Sequence, residues 1–147
     1  MIGKWLQALT EKVTHQETDQ GDDRLAAAAL MYEVARADGT LASEELTHMV
    51  TLFARRWSLP DTEAGELLDA ARQQAEDATD YHELVMAIRR QWSAEKRAQL
   101  VHDMWEIAHA DVEGHHYEEY VIRKVADLLY VSHSDFIRGK LASEPPR

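Results

Sequence analysis

The chain contains no cysteine among its 147 residues. That absence excludes disulfide bridges, thiolate metal ligands and a cysteine nucleophile. Proline and glycine are also scarce, at three and six residues, and no segment alternates β-branched with polar residues, so nothing predicts a β-sheet. No apolar run approaches the roughly 20 residues that span a bilayer, and the N-terminus lacks the apolar core and cleavage site of a secretory signal. We therefore predict a cytoplasmic protein.

Positive charge is in short supply as well. Sixteen basic side chains against 27 acidic ones give a formal net charge of −11. A field of that sign repels phosphate backbones, and the basic pairs Arg55-Arg56 and Arg89-Arg90 are too short to form a basic patch. We predict no nucleic-acid partner. An acidic surface instead attracts cations or the basic face of a protein partner, although solubility alone also accounts for it.

Helical periodicity is what the sequence has in abundance. Residues 1–20 are predicted to hold an N-terminal amphipathic helix, over 2–13, and a polar linker. Residues 21–143 are predicted to form one domain with seven further helices, and 144–147 a frayed tail. The predicted fold class is therefore all-α, a compact bundle of seven to eight helices. Predicted helix starts carry side chains suited to capping, namely Ser43, Asp61, Asp80 with Glu83, Ser93, and Ser132 with Asp135.

The first predicted helix has an apolar face that includes Trp5, with Lys4 and Lys12 on either side in sequence. We expect this face to dock on the bundle. Peripheral membrane association through residues 2–13 is the alternative, because amphipathic helices with basic flanks also lie on membrane surfaces.

An internal repeat divides the predicted domain. A shift of 73 residues lays Met31–Asp38 on Met104–Asp111, with five of eight positions identical. The same shift lays Glu45 on Glu118. Apolar positions of amphipathic helices coincide easily by chance, but polar positions in register do so less readily. The pattern indicates an internal duplication with a pseudo-twofold arrangement of helix pairs.

Two segments of the repeat resemble a known family. VARADGTLASEEL (34–46) and IAHADVEGHHYEEYVI (107–122) are similar to the two signature segments of the TerB-like family, named for bacterial tellurite resistance. The resemblance covers roughly residues 23–141. It implies an acidic bundle of seven or more helices, signature acids that bind a metal ion, and a role in tellurite and other chemical stress. One departure is Val112, which stands where the first half has Gly39.

The acids shared by the two halves are the candidate metal site: Asp38, Glu45, Asp111 and Glu118. A tight helix–turn–helix can return each glutamate towards its aspartate, and two carboxylates about 4 Å apart repel by roughly 1–4 kcal/mol at surface dielectric values. A divalent cation relieves that repulsion, and ligation by oxygen alone favours Ca²⁺, Mg²⁺ or Mn²⁺. The alternative is simple local chemistry, in which each aspartate is a turn residue and each glutamate favours a helix N-terminus.

Three functions follow from these residues. The sequence has no nucleophile elbow, glycine-rich phosphate loop or HExxH motif, so we predict a non-catalytic stress-response domain that binds a divalent cation, a protein partner, or both. A pure protein-interaction adaptor without metal is the second hypothesis. The third is a ferritin-like di-metal carboxylate oxidoreductase, since Glu45 with His48 and Glu106 with His109 have the Glu-x-x-His spacing of di-iron proteins.

Other singled-out residues have structural explanations. Glu33 and Glu106 coincide in the repeat, and we expect them to form ion pairs with basic residues such as Arg123 or Lys124, because a core-facing glutamate is costly without a partner. Four tryptophans lie at helical spacing from other apolar residues, and we predict that they anchor the core: Trp5, Trp57, Trp92 and Trp105.

Overall fold

The computed structural model describes residues 20–37, 41, 43–77, 81–110 and 115–143. The predicted helix over 2–13 and the tail at 144–147 lie outside them. Within these ranges the chain forms seven α-helices and no strand, which confirms the all-α prediction. The helices are α1 (Gln20–Ala35), α2 (Ser43–Trp57), α3 (Asp61–Asp77), α4 (His82–Gln91), α5 (Ala94–Ala110), α6 (His115–Leu128) and α7 (His133–Ser143).

Capping side chains set several helix starts. The Ser93 hydroxyl accepts the Lys96 amide hydrogen at 3.2 Å, and the Ser132 hydroxyl accepts that of Asp135 at 3.1 Å, so both predicted caps are confirmed. The predicted capping box of α4 is wrong by one residue. Its N-cap is Tyr81, which makes no side-chain cap hydrogen bond, and Asp80 lies outside the described residues.

Helix α1 is the centre of the bundle. Every residue from Ala26 to Tyr32 is buried, because α1 packs against α2, α3, α4, α5 and α6. The four consecutive alanines at 26–29 let neighbouring backbones approach this helix closely. None of the described helices is both long and apolar enough to cross a membrane.

Three helices precede α4 and three follow it, in the two halves that the 73-residue shift of the sequence relates. Helix α1 packs on α3 in the first half, as α5 packs on α7 in the second. Across the halves, α2 packs on α5 and α6 packs on α1. Helix α2, which follows Asp38 in sequence, therefore lies against α5, which precedes Asp111. Helix α6, which follows Asp111, lies against α1, which precedes Asp38.

Helices α2 and α6 also end alike. Ser58 and Tyr130 have φ of 53° and 58°, the left-handed region that closes a helix. The next amide in each case reaches back to the last turn, from Leu59 to the Ala54 carbonyl at 3.0 Å and from Val131 to the Ala126 carbonyl at 2.9 Å. Both are Schellman ends built without glycine.

Replacing Ser58 by glycine is expected to raise the free energy of unfolding by up to about 1 kcal/mol. A left-handed conformation costs a residue with a Cβ roughly 1–2 kcal/mol, and the greater freedom of glycine in the unfolded chain offsets part of that gain. Ser58 is exposed, so no packing changes. Urea denaturation measures the effect, and a lower urea midpoint for Ser58→Gly than for the wild type would contradict this view of the helix end.

Candidate functional site

Both signature glutamates are fully buried. Glu45 lies in the first turn of α2 and Glu118 in the first turn of α6, each with 0% of its surface exposed. Asp38 and Asp111 lie outside the described residues. The described half of the predicted site therefore consists of two buried carboxylates at positions that the 73-residue shift superimposes. Burial costs a carboxylate more than exposure at a helix N-terminus does.

A polar seam joins α2 to α5. Glu106 on α5 accepts hydrogen bonds from Arg55 at 2.9 Å and pairs with the His48 ring nitrogen Nε2 at 2.8 Å. One turn away, Arg56 binds both oxygens of Asp103, at 3.0 and 2.8 Å. Asp103 is only 2% exposed. We call these five side chains the α2–α5 seam, and they fix how α2 crosses α5.

The seam shifts the titration of two of its members. Burial raises the pKa of the Glu106 carboxyl, but the hydrogen bonds and charges of His48 and Arg55 outweigh burial, so the pKa is lowered below its usual value of 4.5. Hydrogen bonding to Asp103 outweighs the opposing effect of burial and raises the pKa of Arg56 above its usual value. Glu106 and Arg56 are therefore charged in the folded protein at neutral pH.

Acidification is expected to remove the stabilisation that Glu106 supplies. Its folded pKa is lower than 4.5, the value we take for the unfolded chain, so its contribution is complete above about pH 4.5 and is lost as the pH falls through the folded pKa. Urea midpoints measured from pH 7 to 3 should fall less steeply for Glu106→Gln than for the wild type. The matched control is Glu66→Gln, which removes a carboxylate that has no ion pair within the described residues. Identical acid profiles for wild type and Glu106→Gln would contradict the assignment.

Glu33 and Glu106 both form ion pairs, as predicted, but their partners are not Arg123 or Lys124. Glu33 pairs with Arg36, one turn along the same helix, and Glu106 pairs with the α2 side chains. Arg123 instead pairs with Glu119 and lies over the ring of Phe136. The reason is geometric, because α6 packs beside α5 with Arg123 directed towards α7 rather than towards Glu106.

The histidines of the two Glu-x-x-His patterns have different partners. His48 binds Glu106 of the other pattern, while His109 contacts the Ser143 hydroxyl at 2.9 Å and stacks on Trp105. In the part of the chain that is described, the ligand atoms of metal-binding residue types converge elsewhere, at His102, Asp103 and Glu106, within 4.8 Å of one another.

Two residues of this cluster, Asp103 and Glu106, belong to the α2–α5 seam, and the third, His102, lies beside Asp103 on α5. Arg56 and Arg55 already supply the positive charge that the two carboxylates need, so a cation there would have to displace two guanidinium groups. Sequence reasoning missed Asp103. The sequence did indicate its burial, because Asp103 stands three residues after Leu100 and four before Ile107, on the same helix face as these buried residues.

The tryptophans divide into two groups. Trp105 is fully buried and meets the ring of Phe136 edge-on, as a core anchor does. Trp57 and Trp92 are partly buried, pack against the edge of the core and line a cavity. Trp5 lies outside the described residues.

A known protein family matches most of the chain. A family model described as "Tellurite resistance protein TerB" matches residues 24–141. That range lies within the domain predicted for residues 21–143. Neither the curated proteins nor the solved structures give a match.

Proposed function

The chain belongs to the TerB tellurite-resistance family, and from that premise we propose that it is a non-catalytic stress-response protein that binds a divalent cation. The ligands in this proposal are the carboxylates at Asp38, Glu45, Asp111 and Glu118. The observation that carries it is the complete burial of Glu45 and Glu118. A buried carboxylate is costly unless a positive charge, a proton or hydrogen-bond donors compensate it.

The seam supports a shared location for acids of the two halves. His48 binds Glu106, which places the N-terminal part of α2 beside the C-terminal part of α5. Glu45 precedes His48 by three residues, about 4.5 Å along the axis of α2. Since Arg56 reaches back to Asp103, the two helices run in opposite directions, and Glu45 lies towards the end of α5 that leads to Asp111.

The second half supplies the reciprocal contact. Glu118 belongs to α6, and α6 packs on α1, the helix that leads to Asp38. Each buried glutamate thus lies on a helix packed against the helix that precedes the other half's aspartate. Helix α6 also packs on α5, and α2 on α1, so the helix contacts are compatible with pairing between halves as well as within each turn.

Oxygen ligands determine the class of ion. The four residues offer carboxylate oxygens and the chain has no thiolate, so Ca²⁺, Mg²⁺ and Mn²⁺ are the expected ions. A bound ion would link carboxylates from both halves and hold the two halves together. That makes the proposed site a link between cation concentration and the stability of the bundle.

Calorimetric titration of metal-free protein tests the proposal. We expect Ca²⁺, Mg²⁺ or Mn²⁺ to bind at submillimolar concentration, with Asp38→Asn and Asp111→Asn each weakening affinity by about tenfold or more, the effect of losing one charged ligand. Asp69→Asn is the matched control, because Asp69 is an exposed acid on α3. Absence of heat at millimolar metal, or unchanged affinity in both variants, would remove the cation from the proposal.

A basic protein partner stays a separate prediction. Its binding would depend on the overall charge of −11 and would weaken with salt. Partner capture that survives Asp38→Asn and Asp111→Asn but is lost when exposed acids are neutralised would favour the adaptor hypothesis over cation binding.

A further inference from the structure

A cavity of about 290 Å³ lies where α1, α2 and α5 meet, beside the linker that joins α4 to α5. Its apolar wall is formed by Met31, Trp57, Trp92 and Leu100. It shares no lining residue with the proposed cation site. A volume of this size is at the lower end of small-molecule sites, and walls that are mostly apolar with a few polar groups are typical of them.

The polar lining of this cavity is basic, although the protein as a whole is acidic. Arg24, Arg56 and Lys96 line it together with the carboxylate of Asp103. Asp103 binds Arg56 through both oxygens. Arg24 and Lys96 have no carboxylate within ion-pair distance among the described residues. Two cationic side chains at an aromatic-walled cavity are therefore available to an anion.

In the second half of the chain, the arginine that corresponds to Arg24 forms a hydrogen bond at the end of a helix. The shift that relates the two halves lays Arg24 on Arg97. The Arg97 guanidinium donates to the Leu129 carbonyl at 2.7 Å, at the end of α6. Among the described residues, the Arg24 side chain makes no such helix-end bond. The Arg24 guanidinium therefore does not cap a described helix, whereas the Arg97 guanidinium does.

We propose that this cavity binds a small organic anion, a carboxylate that carries a flat apolar group. Arg24 and Lys96 would hold the carboxylate, while Trp57 and Trp92 would contact the apolar part. The chain's net charge of −11 disfavours nucleic acid and other large polyanions, and the apolar wall disfavours inorganic anions, which have no surface to bury there.

The test uses full-length protein and two probes that differ only in charge, naphthalene-2-carboxylate and naphthalene-2-carboxamide. Binding is followed by calorimetry and by tryptophan fluorescence. We expect the acid to bind at least tenfold more tightly than the amide, since a charge-assisted hydrogen bond contributes more than a neutral one. Inorganic phosphate at equal ionic strength should not displace the acid. Equal binding of acid and amide, or displacement by phosphate alone, would overturn the proposal.

Paired variants locate the probe. Arg24→Gln and Lys96→Gln should each weaken naphthalene-2-carboxylate about tenfold and leave the amide unchanged. Arg72→Gln is the matched control, because it removes the same charge from an exposed position on α3, away from the lining. Unchanged urea midpoints show that the variants are folded. If Arg72→Gln weakens the acid as much as Arg24→Gln does, or if no variant matters, the acid does not bind in this cavity.

Discussion

Arg56→Met is expected to lower the free energy of unfolding by about 3 kcal/mol, the cost of leaving a buried charge without its partner. The partner left behind is Asp103, which is 2% exposed and would lose both guanidinium hydrogen bonds. Gln99 would still donate to it at 3.2 Å, but a neutral amide does not balance the charge. Urea denaturation at pH 7 measures the loss.

Two further variants separate the ion pair from other effects of Arg56→Met. Arg55→Met removes the neighbouring seam arginine, whose side chain is 56% exposed, and should cost no more than about 1 kcal/mol. The double variant Arg56→Met/Asp103→Leu should recover most of the stability, because it removes both charges rather than one. Equal losses for Arg56→Met and Arg55→Met, or no recovery in the double variant, would contradict this account of the seam.

Trp105→Ala is expected to lower the free energy of unfolding by about 3–5 kcal/mol, the usual range for a buried tryptophan. Trp105 is fully buried, stacks on His109 and meets Phe136 at a ring-centroid distance of 5.3 Å. Its ring also limits the approach of α7, since a Cβ at Gly139 would lie 3.3 Å from Trp105 Cδ1. Loss of the ring leaves a cavity between α5 and α7.

Phenylalanine at the same position is the informative comparison. The buried indole N–H of Trp105 has no hydrogen-bond partner among the described residues, so Trp105→Phe removes an unsatisfied donor while keeping an aromatic ring. We expect its cost to be less than half that of Trp105→Ala. Trp57→Ala, at a partly buried position, should also cost less than Trp105→Ala. Chemical denaturation of the three variants gives the order, and an equal loss for Trp105→Phe and Trp105→Ala would show that packing of the ring is not what stabilises this junction.

The fold was predictable because local signals agree with one another along the chain. Ser93 and Ser132 cap helices as their sequence context indicates, and the apolar stripe of α2, including Met49 and Leu52, is buried. The α4 start was misplaced because Asp80 and Glu83 have the capping-box spacing, whereas the helix begins after Tyr81. Helix starts of this kind are uncertain by a residue or two.

The site was only partly predictable. Sequence spacing selected Glu45 and Glu118 as functional candidates, and their burial sets them apart from ordinary acids in a first helical turn. It did not select Arg56 and Asp103, although Asp103 occupies a core position of α5 and the partly buried Arg56 follows Leu52 and Phe53 on α2 with helical spacing. Which base meets the buried acid Asp103 depends on how α2 crosses α5, a contact between residues 47 positions apart, and no local pattern encodes that crossing.

If Glu45 and Glu118 serve a divalent cation, a crystal grown in Mn²⁺ shows it most directly. An anomalous difference map should contain a manganese peak within coordination distance of a carboxylate oxygen of Glu45 or Glu118, with Asp38 or Asp111 as a further ligand. Manganese found solely at exposed carboxylates, with the two buried glutamates held by protein hydrogen-bond donors instead, would contradict the proposed cation site.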